Sequence, residues 1–230
     1  MSVQYQLLRN YYINGMLKKI DLIQFNSSIS ETIYKNYFLP KKSVVMTISH
    51  SNIQDARKTL SWNWENILRI TYLGPTKPYK GYTVLKQALD ELWNDGKTDF
   101  RLNIYNSTSD ISPYMRIKAG GFKQSELSKI FAETDILVAP SVWYETFGFT
   151  VLEAISYGIP VIVSNRVGAK DIIGNGGIVL EAGDAQQLKS VVAELTEEKI
   201  MELRKSVQKD ARIKTWRQLV LENYKMYEDN

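Results

Sequence analysis

From Ile67 onward the chain alternates short apolar runs with longer amphipathic or polar stretches, and this alternation constrains the fold more than any other feature. The runs fall at residues 67–73 (ILRITYL), 102–105, 115–118, 136–139, 161–164 and 178–180. Helical periodicity fills most of the intervals. It places Val84, Leu85, Ala88, Leu89 and Leu92 on one face of a helix over 81–94, and Leu127, Ile130 and Phe131 on one face over 124–133. Further helices are expected over 148–157 and 185–195, the latter with Asp184 as N-cap. Strands that are apolar throughout, alternating with helices of this length, predict an α/β fold: a doubly wound parallel sheet covered on both faces. Ligands of such sheets bind beyond the carboxyl ends of the strands. The loops that fall there are 74–80, 105–113, 119–123, 140–147 and 164–170.

One of these loops leads into the most informative stretch, residues 140–160 (PSVWYETFGFTVLEAISYGIP). It carries two acids, Glu145 and Glu153, with seven residues between them. A helix that starts near Gly148 puts Val151, Leu152 and Ile155 on one face and turns Glu153 roughly the opposite way, toward water or a cleft. The first-turn N–H groups, around Phe147, Gly148, Phe149 and Thr150, lack intrahelical partners and carry the positive end of the helix dipole. Such a junction suits a sugar attached to a phosphate: N–H donors meet phosphate oxygens, and carboxylates accept bonds from hydroxyls. The plainer reading is a loop acid favourable to the dipole and a solvated acid on the helix surface.

Lys80 stands just before the helix at 81, where a cation beside N–H groups can neutralise a diphosphate; the alternative is a solvated loop lysine. Gly120 and Gly121 either let a flat base approach the backbone or make a tight turn. Neither G-x-G-x-x-G nor G-K-[ST] occurs, so a dinucleotide or P-loop site is not indicated.

Composition removes other chemistries. The chain has no cysteine, which excludes disulfides and thiolate metal sites and suggests a cytoplasmic setting. The one histidine, His50, lies in a polar stretch with no triad or ligand set beside it, and it reads as a solvated loop residue. No metal and no cofactor are expected. The start of the chain has no apolar leader segment, and no apolar run approaches the ~18 residues of a spanning helix.

The net charge of +4 is confined to residues 1–43, where six basic groups face two acids. That segment also holds Tyr5, Tyr11, Tyr12, Phe25, Tyr34, Tyr37 and Phe38. It either packs on the main domain or a partner, or lies peripherally on an anionic membrane surface. Nucleic acid is not an expected partner, because no basic stripe follows. A helix over 2–18, strands at 21–25 and 44–48, and a helix over 29–37 are expected here. Residues 49–66 are polar and without period, and helices over 197–211 and 215–227 close the chain.

Taken in order, the segments YLGPTKPYKGYTVLKQAL, IKAGGFKQSELSKIFAETDILVAPS, ETFGFTVLEAISYGIPVIVS and EAGDAQQL resemble the nucleotide-sugar-binding half of family 4 glycosyltransferases, which have the two-domain GT-B fold. The likeness is close over 67–195 and looser at the Trp216 helix. It implies a Rossmann-like C-terminal half of a GT-B enzyme that transfers a hexose with retention, usually without a metal. The donor would be a UDP- or GDP-linked sugar, and the acceptor a polysaccharide, lipid-linked or similar molecule.

By this resemblance Lys80 would contact the diphosphate, with Gly74 and Lys77 in the same loop. Glu145 would hold hydroxyls of the transferred sugar, beside the N–H groups of Phe147, Gly148, Phe149 and Thr150. Glu153 would hold the ribose, and Gly120, Gly121 and Phe122 would pass beside the base. Lys80 and Glu145 are the expected catalytic residues.

The chain departs from the pattern at Pro75, where the family often has a basic residue, and at Tyr105-Asn106-Ser107, where it usually has glycines. The family's N-domain histidine has no evident counterpart. About 60 residues precede Ile67, fewer than the ~100 or more of a typical domain. The implied division is a remnant of an N-terminal acceptor domain at 1–43, a linker at 44–66, the nucleotide-sugar-binding domain at 67–213 and a C-terminal helix at 214–230. A missing acceptor domain or separate chain would complete the enzyme. The competing expectation is a non-catalytic module that binds a nucleotide sugar or a partner.

Overall fold

The computed structural model describes residues 2–228. Its centre is a sheet of six parallel strands: β3 (Leu68–Tyr72), β4 (Phe100–Ile104), β5 (Met115–Ile117), β6 (Ile136–Ala139), β7 (Val161–Ser164) and β8 (Gly177–Leu180). Their order is β5-β4-β3-β6-β7-β8. Ile70 pairs with Leu102 on one side and Ile136 on the other. The chain winds outward one way from β3 and the other way from β6. A crevice therefore opens between the carboxyl ends of these two neighbours, as expected at the point where a doubly wound sheet reverses.

The inner strands β3, β6 and β7 are buried on both faces, which is why they read as largely apolar runs, whereas the edge strands β5 and β8 are partly exposed at Ile117 and Val179. One face packs on α3 (Tyr82–Asn94), α6 (Ala185–Ala193) and the start of α7 (Glu197–Asp210), through Leu85, Leu89, Leu188 and Ile200. The other packs on α4 (Leu127–Ala132) and α5 (Phe149–Ser156), through Phe131, Val151 and Ile155. The last helix is α8 (Trp216–Glu228).

Within the apolar run of β3 one charge is hidden. Arg69 is buried and bonds Asp135 through its backbone N–H, its Nε and its Nη2, the last at 2.7 Å. Trp62 Nε1 donates to the same carboxylate at 2.8 Å. A charge survives burial only with such full pairing.

The N-terminal segment comprises α1 (Val3–Tyr11), a short parallel pair β1 (Ile23–Phe25) and β2 (Ser43–Val45), and α2 (Ser28–Lys35) between them. The expected single helix over 2–18 is interrupted. After Tyr11 the backbone widens into a π turn over Tyr12–Met16 and closes with a 3-10 turn over Leu17–Lys19. Gly15 lies in the π turn, where glycine weakens a regular helix.

Residues 46–66 lack regular structure but are fastened along the main body. Ile53 is buried among α5 residues. Arg57 Nη1 donates to the carbonyls of Val207, Gln208 and Ala211 at the end of α7, the favoured place for a cation. Ser49 Oγ donates to the Lys214 carbonyl at 2.6 Å.

Candidate functional site

The crevice between β3 and β6 is a cavity of about 240 Å³, and Gly74, Lys80, Glu145, Gly148, Phe149 and Thr150 are among its walls. Lys80 ends a 3-10 turn, Pro78–Lys80, that delivers the chain into α3. The next residue, Gly81, has φ 75° and sits so close to the loop after β6 that a Cβ would fall 1.8 Å from the Pro140 carbonyl oxygen. Only glycine permits that approach, and it seats Lys80 opposite the 140–147 loop.

Glu145 is held by its backbone. Its N–H donates to the Arg166 carbonyl at 2.9 Å, and its own carbonyl accepts from Gly168 N–H at 3.0 Å. Its side chain then meets Lys80, with Nζ 3.0 Å from Oε1. The periodicity of the sequence gives no sign of this ion pair, which joins loops 65 residues apart. Tyr72, at the end of β3, donates its hydroxyl to the Pro75 carbonyl at 2.8 Å. Burial pushes its phenol well above the usual range, and the Glu145 charge adds to this, so Tyr72 stays a donor.

Gly148 precedes α5 with φ 115° and no side-chain cap, leaving the first N–H groups of the helix without a side-chain partner. Phe147 itself is buried, so only its backbone faces the loop; its carbonyl accepts from Ala169 N–H at 2.7 Å. Phe149 is half-exposed and meets Phe147 edge-on at 5.6 Å.

Glu153 is not the solvated surface acid of the plainer reading, and of the two surroundings expected for it, water or a cleft, open water does not hold. It is 7% exposed, covered by residues from two other loops. His50 Nε2 lies 3.5 Å from Oε1, and the Gln124 side chain is a polar neighbour. Burial raises its carboxyl above the usual carboxylate range, and Gln124 partly offsets this.

His50 is likewise not a solvated histidine. Its ring is edge-on to Phe149 at 5.2 Å, and burial pushes its imidazole below the usual value. Helical period places a side chain relative to its own core, and it carries no information about the aperiodic segment that covers it. The one usable signal was that the chain's sole histidine lies four residues after the apolar run at 44–46.

The remaining residues lie farther along the sheet edge. Gly120 and Gly121 take left-handed φ values of 86° and 79°. Phe122 packs edge-on to Tyr105 at 6.3 Å. Gln124, two residues on, favours the charged form of Glu153. Lys77 is exposed, its N–H donating to the Pro75 carbonyl at 2.7 Å. The crevice thus assembles Gly74, Lys80, Glu145 and the start of α5, while Gly120–Gly121–Phe122 and Glu153 form an adjoining group.

A second, more apolar cavity of about 620 Å³ shares Glu145 as a wall and runs along β1 and α2, past Ile20, Phe25, Ile29 and Tyr144. Ser27 Oγ at the start of α2 donates to the Thr146 carbonyl at 2.6 Å. Ser28 donates through both N–H and hydroxyl to the Asp171 carboxylate, at 2.6 and 2.7 Å.

Residues 68–198 match the family described as "Glycosyl transferases group 1". The chain is 28% identical over 131 residues to the O-antigen chain mannosyltransferase B of Escherichia coli, covering 52% of this chain and 34% of that protein. It is 30% identical over 115 residues to the Escherichia coli UDP-Gal:alpha-D-GlcNAc-diphosphoundecaprenol alpha-1,3-galactosyltransferase, covering 49% and 27%. The matched stretch is about a third of the length of these relatives. Among solved structures, a glycosyltransferase from Rickettsia africae ESF-5 superposes with a TM-score of 0.73 at 18% identity, over 100% of this chain and 67% of that one. The fold is accordingly that of the GT-B glycosyltransferases.

Proposed function

Because the chain belongs to the group 1 glycosyltransferases, we propose that it is the donor-binding part of a retaining hexosyltransferase of family 4 type, fed by a nucleotide diphosphate sugar. The observation that carries this reading is the crevice at the sheet's reversal point, where Lys80, Glu145 and the uncapped start of α5 converge. In this reading the diphosphate lies against the α5 N–H groups, and Lys80 turns from Glu145 to the phosphate oxygens. Glu145, released from the lysine, accepts hydroxyls of the hexose. Glu153 takes the ribose hydroxyls, and Gly120, Gly121 and Phe122 pass beside the base.

The bond between the sugar's anomeric carbon and the diphosphate oxygen breaks, the acceptor hydroxyl oxygen bonds the same face of the sugar, and the hydroxyl proton passes to the departing diphosphate. Negative charge grows on the departing nucleotide diphosphate. The helix N–H groups, joined by Lys80 once it has turned from Glu145, face that charge as it grows, an electrostatic stabilisation that requires no metal. Gly74 and Lys77 line the phosphate end.

The acceptor enters from the side of Glu145 that faces β1 and α2, and the rest of its site comes from additional chain, in this polypeptide or another. The apolar side of α1 is exposed at Val3, Leu7, Leu8 and Tyr11, with Arg9, Lys18 and Lys19 nearby. This fits a protein held peripherally at the cytoplasmic face of a membrane, where such acceptors are anchored. Among the described residues no helix is long and apolar enough to cross a membrane.

Isothermal titration with UDP, GDP and their hexose conjugates, with Glu153→Ala in parallel, tests the reading. Binding of one nucleotide that the variant loses supports it and names the base. A folded chain that binds none refutes the donor-site assignment.

A further inference from the structure

His50 belongs to residues 46–66, outside the sheet and its helices, yet it is one of the residues that cover Glu153. Its orientation is built rather than incidental. The backbone N–H of Asn52 donates to its Nδ1 at 3.3 Å, and the Ile53 N–H donates to its carbonyl at 3.0 Å. Ser49 anchors the preceding residue to the Lys214 carbonyl, and Ile53 is buried in the core beside α5. A ring nitrogen that accepts a hydrogen bond carries no proton in the neutral imidazole, so the proton belongs on Nε2. Nε2 is the nitrogen that faces Glu153 Oε1 at 3.5 Å. The Phe149 ring supports the imidazole from the side, edge-on at 5.2 Å.

We propose that His50 is a positioning residue: an Nε2–H imidazole, fixed by the Asn52 amide, that directs the Glu153 carboxyl toward the ribose of the bound nucleotide. Gln124, from the neighbouring 3-10 turn, favours the charged form of the same carboxyl, so groups from two other segments act on the acid before any ligand arrives. A carboxylate held in one rotamer accepts two vicinal hydroxyls without first losing side-chain freedom. The proposal rests on the reading of Glu153 as the ribose acceptor.

Two measurements test it. His50 is the chain's only histidine, so its imidazole nitrogens are read without assignment in a long-range 15N–1H spectrum of the unliganded protein. The expected spectrum is that of the neutral Nε2–H tautomer; an Nδ1–H tautomer overturns the proposal independently of any nucleotide. The second is titration with UDP and GDP and with their 2′,3′-dideoxy counterparts. His50→Asn, which cannot reach Glu153, is expected to weaken the ribonucleotide that binds by about three- to tenfold, the scale of one oriented hydrogen bond, and to leave the dideoxy form unchanged. His50→Gln, whose amide N–H takes the place of Nε2–H, is expected to restore most of the loss.

An equal loss for ribo and dideoxy forms, or no loss in His50→Asn, overturns the proposal while Glu153→Ala still reports on the donor site. Loss of discrimination by neither His50→Asn nor Glu153→Ala removes the ribose reading itself.

Discussion

Lys80 and Glu145 close on each other across the crevice, Nζ to Oε1 at 3.0 Å, from loops that follow different strands of the sheet. Each is a group that a sugar diphosphate would need, and in the unliganded protein each occupies the other. The pair is partly exposed, so its own contribution to stability is small, about 0–1 kcal/mol. Its effect on binding is larger. Glu145→Gln frees the lysine, and affinity for the nucleotide diphosphate alone is expected to hold or rise while the extra affinity contributed by a hexose disappears. Lys80→Ala is expected to lower affinity for both by about tenfold or more, as loss of a charged hydrogen bond to phosphate should. Calorimetric titration of both variants against nucleotide and nucleotide sugar checks this.

The burial of Glu153 makes a prediction about pH. Its folded-state pKa lies above the unfolded value of 4.5, so the folded protein holds the proton more tightly. The resulting stability is fully present below about pH 4.5 and is lost as pH rises through the raised folded value, the reverse of the usual carboxylate. Glu153→Gln, which stays neutral, is therefore expected to melt higher than the parent at pH 7 and to lose that advantage as the pH falls toward 4. In a chain of this size each kcal/mol corresponds to about 2–4 °C in Tm. Thermal melts of both proteins across that range decide it.

The Arg69–Asp135 pair makes a prediction about the fold alone. Both side chains are buried, at 2% and 0% exposure, and Asp135 also accepts from Trp62. Asp135→Ala leaves the buried guanidinium with only the half-exposed Glu65 and the Asn63 carbonyl as partners and is expected to cost about 3–5 kcal/mol in denaturant unfolding. Arg69→Met together with Asp135→Leu is expected to recover most of that loss, because a charge is no longer left unpaired.

Gly81 links stability to the site. Gly81→Ala meets the Pro140 carbonyl oxygen at 1.8 Å from a residue at φ 75°. The backbone must move, at a cost of about 1–3 kcal/mol for the strained conformation alone. The displaced turn carries Lys80 with it. Weaker nucleotide binding together with a lower Tm is expected; a lower Tm with unchanged binding would show that the turn can shift without the lysine.

Much of the sheet was legible in the sequence because its strands advertise themselves. A strand buried on both faces tolerates little besides apolar residues, and 136–139 and 161–164 read as such. The start of α5 was equally plain, because Gly148 punctuates an apolar helix and both Glu145 and Glu153 follow from spacing. What could not be read was the surroundings of those acids. Glu153 was expected to face water or a cleft, but its cover comes from His50 and Gln124, 103 and 29 residues away in sequence. The Lys80 partner was invisible for the same reason: ion pairs between loops leave no periodic trace. Arg69 hid in a strand because its compensation by Asp135 lies 66 residues on. The break in α1 after Tyr11 involves Gly15, whose weight against an otherwise helical pattern is a matter of about 1 kcal/mol.

The bond from Ser27 Oγ to the Thr146 carbonyl places the start of α2 on the residue that follows Glu145. Two equilibria therefore share one short length of backbone: seating of the N-terminal segment, and occupancy of the crevice. Linkage between shared elements is reciprocal. A ligand that steadies residues 145–147 tightens the grip on α2 by the same free energy with which a well-seated α2 favours that ligand. An acceptor or additional chain that presses on β1 and α2 would thus be felt at the donor's sugar before it touches it.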